Sequence, residues 1–208
     1  MDFISVLLLL LTSVYFLVPA YFANMAPPLA KKFKIFEFLN TSIDNGKNFR
    51  DKRPIFGKNK TYRGFVVGII GGIIGACLQI FLYNFDSFKS ISIIGVDYTN
   101  VYLILLLGIL MGFGAIAGDL VESFFKRRLN IDSGKSFVPW DQIDLVIGAY
   151  IFALPIVYWY LTWQIVIISI VISFFLHVIT NHISFYLKIR REKWNSCKKL
   201  REVILCLK

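Results

Sequence analysis

Asp119, Glu122, Asp132, Asp141 and Asp144 place five carboxylates within residues 118–144, beside four basic groups, Lys126, Arg127, Arg128 and Lys135, and a Ser133/Gly134 turn. Carboxylate oxygens chelate hard divalent cations, and ammonium and guanidinium groups neutralise phosphates. This stretch joins two apolar runs, each long enough to cross a bilayer. A charged loop at the exit of a membrane helix is what a site needs to hold a metal, a polyphosphate and a lipid-borne substrate together, so it is the candidate active site.

Within it, Asp119, Glu122, Ser123, Lys126 and Arg127 recur at i, i+3, i+4, i+7 and i+8, one helical face, while Leu120, Val121, Phe124 and Phe125 take the other. The spacing predicts that the preceding apolar helix continues past the membrane surface. Its polar face either lines a cleft or is solvated and laced by i, i+4 pairs such as Glu122 with Lys126. A turn-forming cluster from Asn130 to Lys135 follows, and then Pro139, well placed to start a helix. Asp141 and Asp144, three apart, project from one face of that first turn. There they either favour the helix N-terminus electrostatically or, with Asp119 and Asp132 converging on them, form an oxygen-rich metal site suited to Mg²⁺.

A second charged stretch covers residues 49–64, with Arg50, Lys52, Arg53, Lys58, Lys60 and Arg63 around Gly57, Thr61 and Gly64. It has the charge to neutralise a polyphosphate or a phosphorylated head group. As composition alone it fits a basic segment that stops translocation, the commoner fate of such runs. The Gly-x4-Gly-Lys-Ser/Thr spacing is absent, so a P-loop NTPase is not indicated.

The elements that must position these groups are membrane helices. A chain of 208 residues that is 57% hydrophobic, with a mean hydropathy of +0.65, carries more apolar surface than a soluble core of that size hides. It reads as a single all-α polytopic membrane domain, 1–208, with about five transmembrane spans at 3–22, 65–83, 101–118, 145–162 and 164–187, none containing Asp, Glu, Lys or Arg. Of the 23 Lys and Arg residues, all but Lys89 fall on one side of such a bundle: in loop 23–64, loop 119–144 and tail 188–208. The positive-inside rule makes that side cytoplasmic, with the N-terminus outside and the C-terminus inside. The net charge of +10 is thus a topology and membrane-surface signal, and nucleic acid is disfavoured because no recognition fold accompanies it.

Span 3–22 reads as a permanent helix, since it lacks a basic n-region and a cleavage context. Cys77, Cys197 and Cys206 have no metal-ligand spacing. Gly68/Gly72, Gly71/Gly75, Gly108/Gly112 and Gly114/Gly118 repeat every fourth residue, which lets helices pack closely within one chain or across a homodimer. Pro155 is expected to kink the fourth span, Trp159 and Trp163 to lie in an outer aromatic belt, and His177 and His182 to pack. The tail reads as a basic amphipathic helix on the inner leaflet.

These residues carry a resemblance. Gly118-Asp119-Leu120, Glu122-Ser123, Phe125-Lys126-Arg127, Asp132-Ser133-Gly134, Pro139 and Asp141-Gln142-Ile143-Asp144 resemble the C-terminal signature of the membrane CTP-dependent phosphatidate cytidylyltransferases. The closer likeness is to their small archaeal relatives, the CDP-archaeol synthases, which share a short five-span plan, the Asn24-Met25-Ala26-Pro27-Pro28 segment and the Gly57-x2-Lys60-Thr61-x-Arg63-Gly64 motif. Ile131 stands where the bacterial and eukaryotic pattern has Lys, Gln142 where it has Arg, and a His-Gly-Gly between Pro139 and Asp141 is missing; all three departures favour the archaeal branch.

The resemblance implies a nucleotidyltransferase of the cell membrane, multi-pass, with its active site on the cytoplasmic side. It would transfer CMP from CTP to an unsaturated polyprenyl ether lipid phosphate, 2,3-bis-O-geranylgeranylglycerol 1-phosphate, as a step of phospholipid biosynthesis. Asp132, Asp141, Asp144 and Lys126 would be catalytic, and Asp119, Asp132, Asp141 and Asp144 would hold Mg²⁺. Lys60, Thr61, Arg63, Arg127, Ser123 and Asn24 would contact CTP or the lipid phosphate. The alternative class is a transporter of a phosphorylated or anionic solute. Transport sites put ionisable groups near the bilayer midplane, whereas these spans carry no Asp, Glu, Lys or Arg and the charge clusters at one interface. The Asp-Gly-x2-Ala-Arg arrangement of enzymes that join a CDP-alcohol to a second alcohol is absent.

Overall fold

The computed structural model describes residues 2–133, 137 and 139–186, the side chains at 177, 178, 181, 182, 184 and 185 excepted. Lys135, the tail from 188, two of the three cysteines and the His177 and His182 side chains lie outside the described residues. Among the described residues there are seven α-helices, α1 (Phe3–Phe16), α2 (Val18–Lys32), α3 (Tyr62–Leu82), the short α4 (Asp86–Lys89), α5 (Val101–Arg128), α6 (Trp140–Val157) and α7 (Trp163–Tyr186), with one 3-10 turn at Glu37–Leu39. Among the described residues there is no strand, only two isolated bridges, Ser42 with Thr61 and Asn48 with Pro54.

Helices α3, α5 and α6 are long and apolar enough to cross a membrane, and α1 with α2 makes a fourth candidate bent by 48°. In α7 the apolar stretch counted among the described residues is Trp163–Leu176. The break in the first apolar run has a local cause. Pro19 has no N–H to offer the Tyr15 carbonyl four residues back, and Gln79 of α3 fills the gap, its Nε2 donating to Tyr15 O at 2.6 Å and Phe16 O at 3.4 Å. The run expected as one helix over 3–22 is therefore two. The second runs on through Pro27 and Pro28 to Lys32, turning the Asn24–Pro28 segment, expected in a loop, into helix.

Backbone contacts at glycine bind the bundle. A Cβ at Gly72 of α3 would collide with the Gly108 carbonyl and the Gly112 Cα of α5. One at Gly114 or Gly118 of α5 would collide with the Gly148 or Asp144 carbonyl of α6. These glycine faces are used inside one chain. The core between them is built from Phe16, Leu17, Ala20, Leu107, Met111, Val146, Ala149 and Ala153, with small residues permitting the close helix spacing.

Helix ends follow their caps. Thr61 Oγ1 accepts the Gly64 N–H at 3.2 Å at the start of α3, and Asn100 Oδ1 accepts the Leu103 N–H at 3.1 Å at the start of α5. Helix α5 continues to Arg128, as its polar and apolar faces predict, and Pro139 caps α6. Pro155 lies inside α6, two residues before its last residue, Val157. Trp159 and Trp163 are exposed around the α6–α7 turn.

Candidate active site

The α5–α6 glycine seam sets the geometry. Because Gly118 lies against the Asp144 carbonyl, the next residue of α5, Asp119, is brought beside the first turn of α6. Asp119, Glu122 and Asp144 each then offer a carboxylate oxygen within 4.8 Å of the other two. Two lysines close on this trio. Lys60, one residue before the cap of α3, pairs with Asp119 Oδ2 at 2.5 Å. Lys126 bridges Glu122 Oε1 at 2.8 Å and Asp141 Oδ1 at 2.6 Å, with its side chain only 10% exposed. Asp141 Oδ2 also accepts the Phe137 N–H at 2.8 Å. Burial alone would push the Lys60 ammonium down, but the Asp119 carboxylate beside it, with Glu122 and Asp144 beyond, holds it above the ordinary lysine value. Lys60 is therefore a fixed positive charge.

The loop that delivers Lys60 is organised by Asp44, 6% exposed. Its carboxylate accepts from Ser42 Oγ at 2.5 Å, Gly57 N at 2.8 Å and the N–H groups of Phe56 and Gly46 at 3.1 Å. Burial acts to raise Asp44, but these four donors, Ser42 foremost, hold it below the usual carboxylate range. Arg128 docks the same loop on α5. Its Nε lies 2.8 Å from Asp51 Oδ2, it donates to Pro54 O at 2.6 Å, and its guanidinium stacks 5.0 Å from the Phe49 ring centre and 4.6 Å from that of Phe124. Gly57, at φ +93°, passes so close to Ser133 and Arg127 that a side chain there would be strained and crowded.

Of the residues singled out in the sequence, Lys60, Asp119, Lys126, Asp141 and Asp144 are brought together. Thr61 caps α3, Arg63 is buried in its first turn, and Ser123 and Arg127 are buried on α5. Among the described residues the Arg127 Nε makes no hydrogen bond. Asp132 is exposed after α5, where its charge faces Arg127, and lies outside the carboxylate trio; Asn24 is exposed on α2. Glu122, which carries no metal role in the sequence reading, is the third member of the trio, and Asp132 and Asp141 are not in it. The signal for Glu122 was the i, i+3 spacing from Asp119 on one helical face.

The CarS-like family model, described as CDP-archaeol synthase, matches residues 6–194. A CDP-archaeol synthase of Methanocaldococcus jannaschii is 36% identical over 89% of this chain and 98% of its own length. The chain belongs to the CDP-archaeol synthase family. Other CDP-archaeol synthases from Methanosarcina mazei and Pyrococcus furiosus are each 34% identical, over 86% and 89% of this chain and 100% and 98% of their own lengths. A solved structure, presented as an intramembrane enzyme for archaeal membrane lipids biosynthesis, superposes with a TM-score of 0.63 at 24% identity, over 81% of this chain and 91% of that one. It shares the fold. In this CDP-archaeol synthase family member the oxygen-only set of Asp119, Glu122 and Asp144, with no nitrogen or sulfur ligand among them, fits a hard cation such as Mg²⁺.

Proposed function

We propose that this chain transfers CMP from CTP to 2,3-bis-O-geranylgeranylglycerol 1-phosphate, forming the CDP-activated ether lipid and pyrophosphate with Mg²⁺ as cofactor. The observation that carries this reading is the trio Asp119, Glu122 and Asp144 flanked by Lys60 and Lys126 where α3, α5 and α6 meet. Three carboxylates between two lysines suit a cation that shields triphosphate charge, with ammonium groups at hand for the remaining oxygens.

In the reaction an oxygen of the lipid phosphate attacks the α-phosphorus of CTP. The new P–O bond forms as the bond to the β-phosphate bridging oxygen breaks, and pyrophosphate leaves with that electron pair. No covalent enzyme intermediate is required, since such transfers are catalysed chiefly by positioning and charge neutralisation. When bound at Asp119, Glu122 and Asp144, Mg²⁺ supplies neutralisation of the triphosphate. Lys60 and Lys126 order these carboxylates and offset negative charge. Arg63 and Arg127, both buried, are the further cations for phosphate oxygens, with Thr61, Ser123 and Asn24 as polar neighbours. Asp141 holds Lys126 in place, and Asp132 is assigned to the entry of the cleft, opposite Arg127.

The membrane reading is a five-span chain with its N-terminus outside and its C-terminus, both charged loops and the active site on the cytoplasmic face of the cell membrane. In this arrangement α1 and α2 count as one broken span and α7 as the fifth. The polar head group then meets soluble CTP at the inner surface. The test is direct: purified protein in detergent, Mg²⁺, labelled CTP and the lipid phosphate, with the CDP-lipid detected by mass. Release of labelled pyrophosphate without a CDP-lipid, or neither product, rejects this activity.

A further inference from the structure

Four large apolar side chains stand exposed within six residues just past the end of α2: Phe33 at 65%, Ile35, Phe36, and Phe38 at 77%. They alternate with charge. Lys31 and Lys32 close the last turn of α2, and Lys34 and Glu37 fall between the apolar side chains. A single exposed Phe needs no explanation, but a contiguous exposed cluster marks a surface that something covers. The local fold gathers these groups. Phe33 N still donates to Leu29 O at 2.9 Å and Ile35 N to Ala30 O at 3.0 Å, a Schellman closure of the helix with Lys34 left-handed at φ +56°. Phe36 repeats the left-handed turn at φ +52°, and its ring meets that of Phe38 edge-on, centres 6.0 Å apart. Lys32 Nζ lies 5.8 Å from the centre of the Phe33 ring.

Two observations point to what covers the patch. On α2 the exposed apolar residues Phe22, Met25 and Leu29 follow one another at i, i+3 and i+7, and Phe33 continues that stripe at i+11. Helix α2 forms with α1 a bent membrane span, so an exposed apolar stripe on it faces acyl chains and the patch prolongs a lipid-facing surface where the chain leaves the bilayer. The second observation is charge. Three lysines among aromatic rings at that level complement anionic head groups, with ring bodies at the acyl boundary and ammonium groups among the phosphates. A second copy paired symmetrically on this face would oppose lysines to lysines. A soluble partner would have to extend along a face that acyl chains already cover.

We infer that residues 31–38 form a foot docked on the bilayer surface at the end of α2, with Phe33, Phe36 and Phe38 in the interface and Lys31, Lys32 and Lys34 on the phosphates of anionic lipids. The foot requires that α2 lie in the membrane, not that the chain transfer CMP. Its ligand is the anionic surface as a whole, not the lipid that reacts. The chain beyond it is tied to the candidate active site. Thr41 O accepts the Tyr62 N–H at 3.0 Å, and Ile43 N donates to Lys60 O at 2.9 Å. A docked foot therefore fixes the level of the Lys60 loop against the bilayer.

The experiment places a nitroxide on Phe33→Cys, Phe38→Cys or, as an exposed reference in the same loop, Lys47→Cys, each with the native cysteines replaced. The full chain is reconstituted in vesicles of phosphatidylcholine, alone or mixed with phosphatidylglycerol. Collisions with oxygen, which concentrates in hydrocarbon, are compared with those of a neutral nickel chelate, which stays in water. A lysine near an anionic surface is worth about fivefold in association. With phosphatidylglycerol present, the oxygen-to-nickel ratio at the Phe33 and Phe38 positions should exceed that at Lys47 by about fivefold or more. It should fall toward the Lys47 value in phosphatidylcholine alone, and also when Lys31, Lys32 and Lys34 are all replaced by Gln. Equal ratios at all three positions in the anionic vesicles overturn the docking. A high ratio indifferent to lipid charge and to the lysines overturns the anionic site, and spin–spin broadening that grows with protein density overturns it in favour of a second copy. No CTP is present, so failure here is separate from failure of the cytidylyl transfer.

Discussion

Lys126 touches two acids from different helices, and at 10% side-chain exposure that contact is shielded from water. Removing one partner of a buried ion pair leaves uncompensated charge, a cost of about 3 to 5 kcal/mol. Lys126→Met is therefore expected to lower thermal stability as well as activity, whereas Lys60→Met, at a more open pair, should mainly lower activity; a thermal shift equal for the two would refute the distinction. The trio itself is tested by Asp119→Asn, Glu122→Gln and Asp144→Asn. Each keeps size but removes a charge the cation needs, so kcat should fall by about a hundredfold or more, with Mn²⁺ restoring part of the rate in at least one. Asp132→Asn, at an exposed position outside the trio, should fall less and keep the wild-type Mg²⁺ dependence. If it instead behaves like the other three, the metal is held differently from the trio geometry. Asp119, Lys126, Asp141 and Asp144 were legible because helical spacing and Pro139 fix their faces. The Lys60–Asp119 pair joins residues 59 apart, and no local pattern announces a contact made by tertiary packing.

At the level of the elements, the α5–α6 seam is what sets the distance between Asp119 and Asp144. Gly118→Ala would drive a methyl into the Asp144 carbonyl, so α6 must move. Displacements of about 1 Å at a reacting centre cost up to about a hundredfold in rate; the expected loss is in kcat with the protein still inserted, and wild-type turnover would show the seam to be tolerant. The Lys60 loop offers a pH test. The Asp44 pKa is lowered on folding, so its contribution is present above the unfolded value of about 4 and lost as pH falls through the folded value. Asp44→Asn should therefore be less stable than wild type by about 1 to 3 kcal/mol at neutral pH, and the gap in thermal unfolding should close on acidification below pH of about 4; a gap constant with pH would assign the loss to packing. The repeated glycines that form the seam were visible as a pattern, but which glycine meets which helix was not. The break at Leu17 was also hidden. Hydropathy reads 3–22 as one run, and the compensation for Pro19 comes from Gln79, more than fifty residues away on another helix.

For the whole molecule the two ends of the bundle differ in kind, and this difference is what topology depends on. One end carries Lys60, Lys126, Arg127, Arg128 and the acidic trio. The other is aromatic: Tyr83 stacks on Tyr98 with ring centres 5.2 Å apart, Tyr15 and Phe88 pack beside them, and Gly95 lies against Tyr160. Aromatic rings with polar tips settle at a membrane interface, and retained cations mark the cytoplasmic side. The segment joining α3 to α5 holds Lys89, paired with Asp86 at 2.8 Å, as its single basic residue, so only one positive charge opposes its translocation. Single cysteines introduced at Ser87 and Thr99, in a background with the three native cysteines replaced, should react with an impermeant maleimide added outside sealed cells. Cysteines at Arg50, Lys58 and Asn130 should react only after permeabilisation. These positions are chosen because none belongs to the proposed catalytic cluster and all are exposed. The reverse pattern, or labelling of both sets from outside, would separate the carboxylate trio from cytoplasmic CTP and remove the nucleotide from the proposed reaction, whatever the affinity of the isolated site for Mg²⁺.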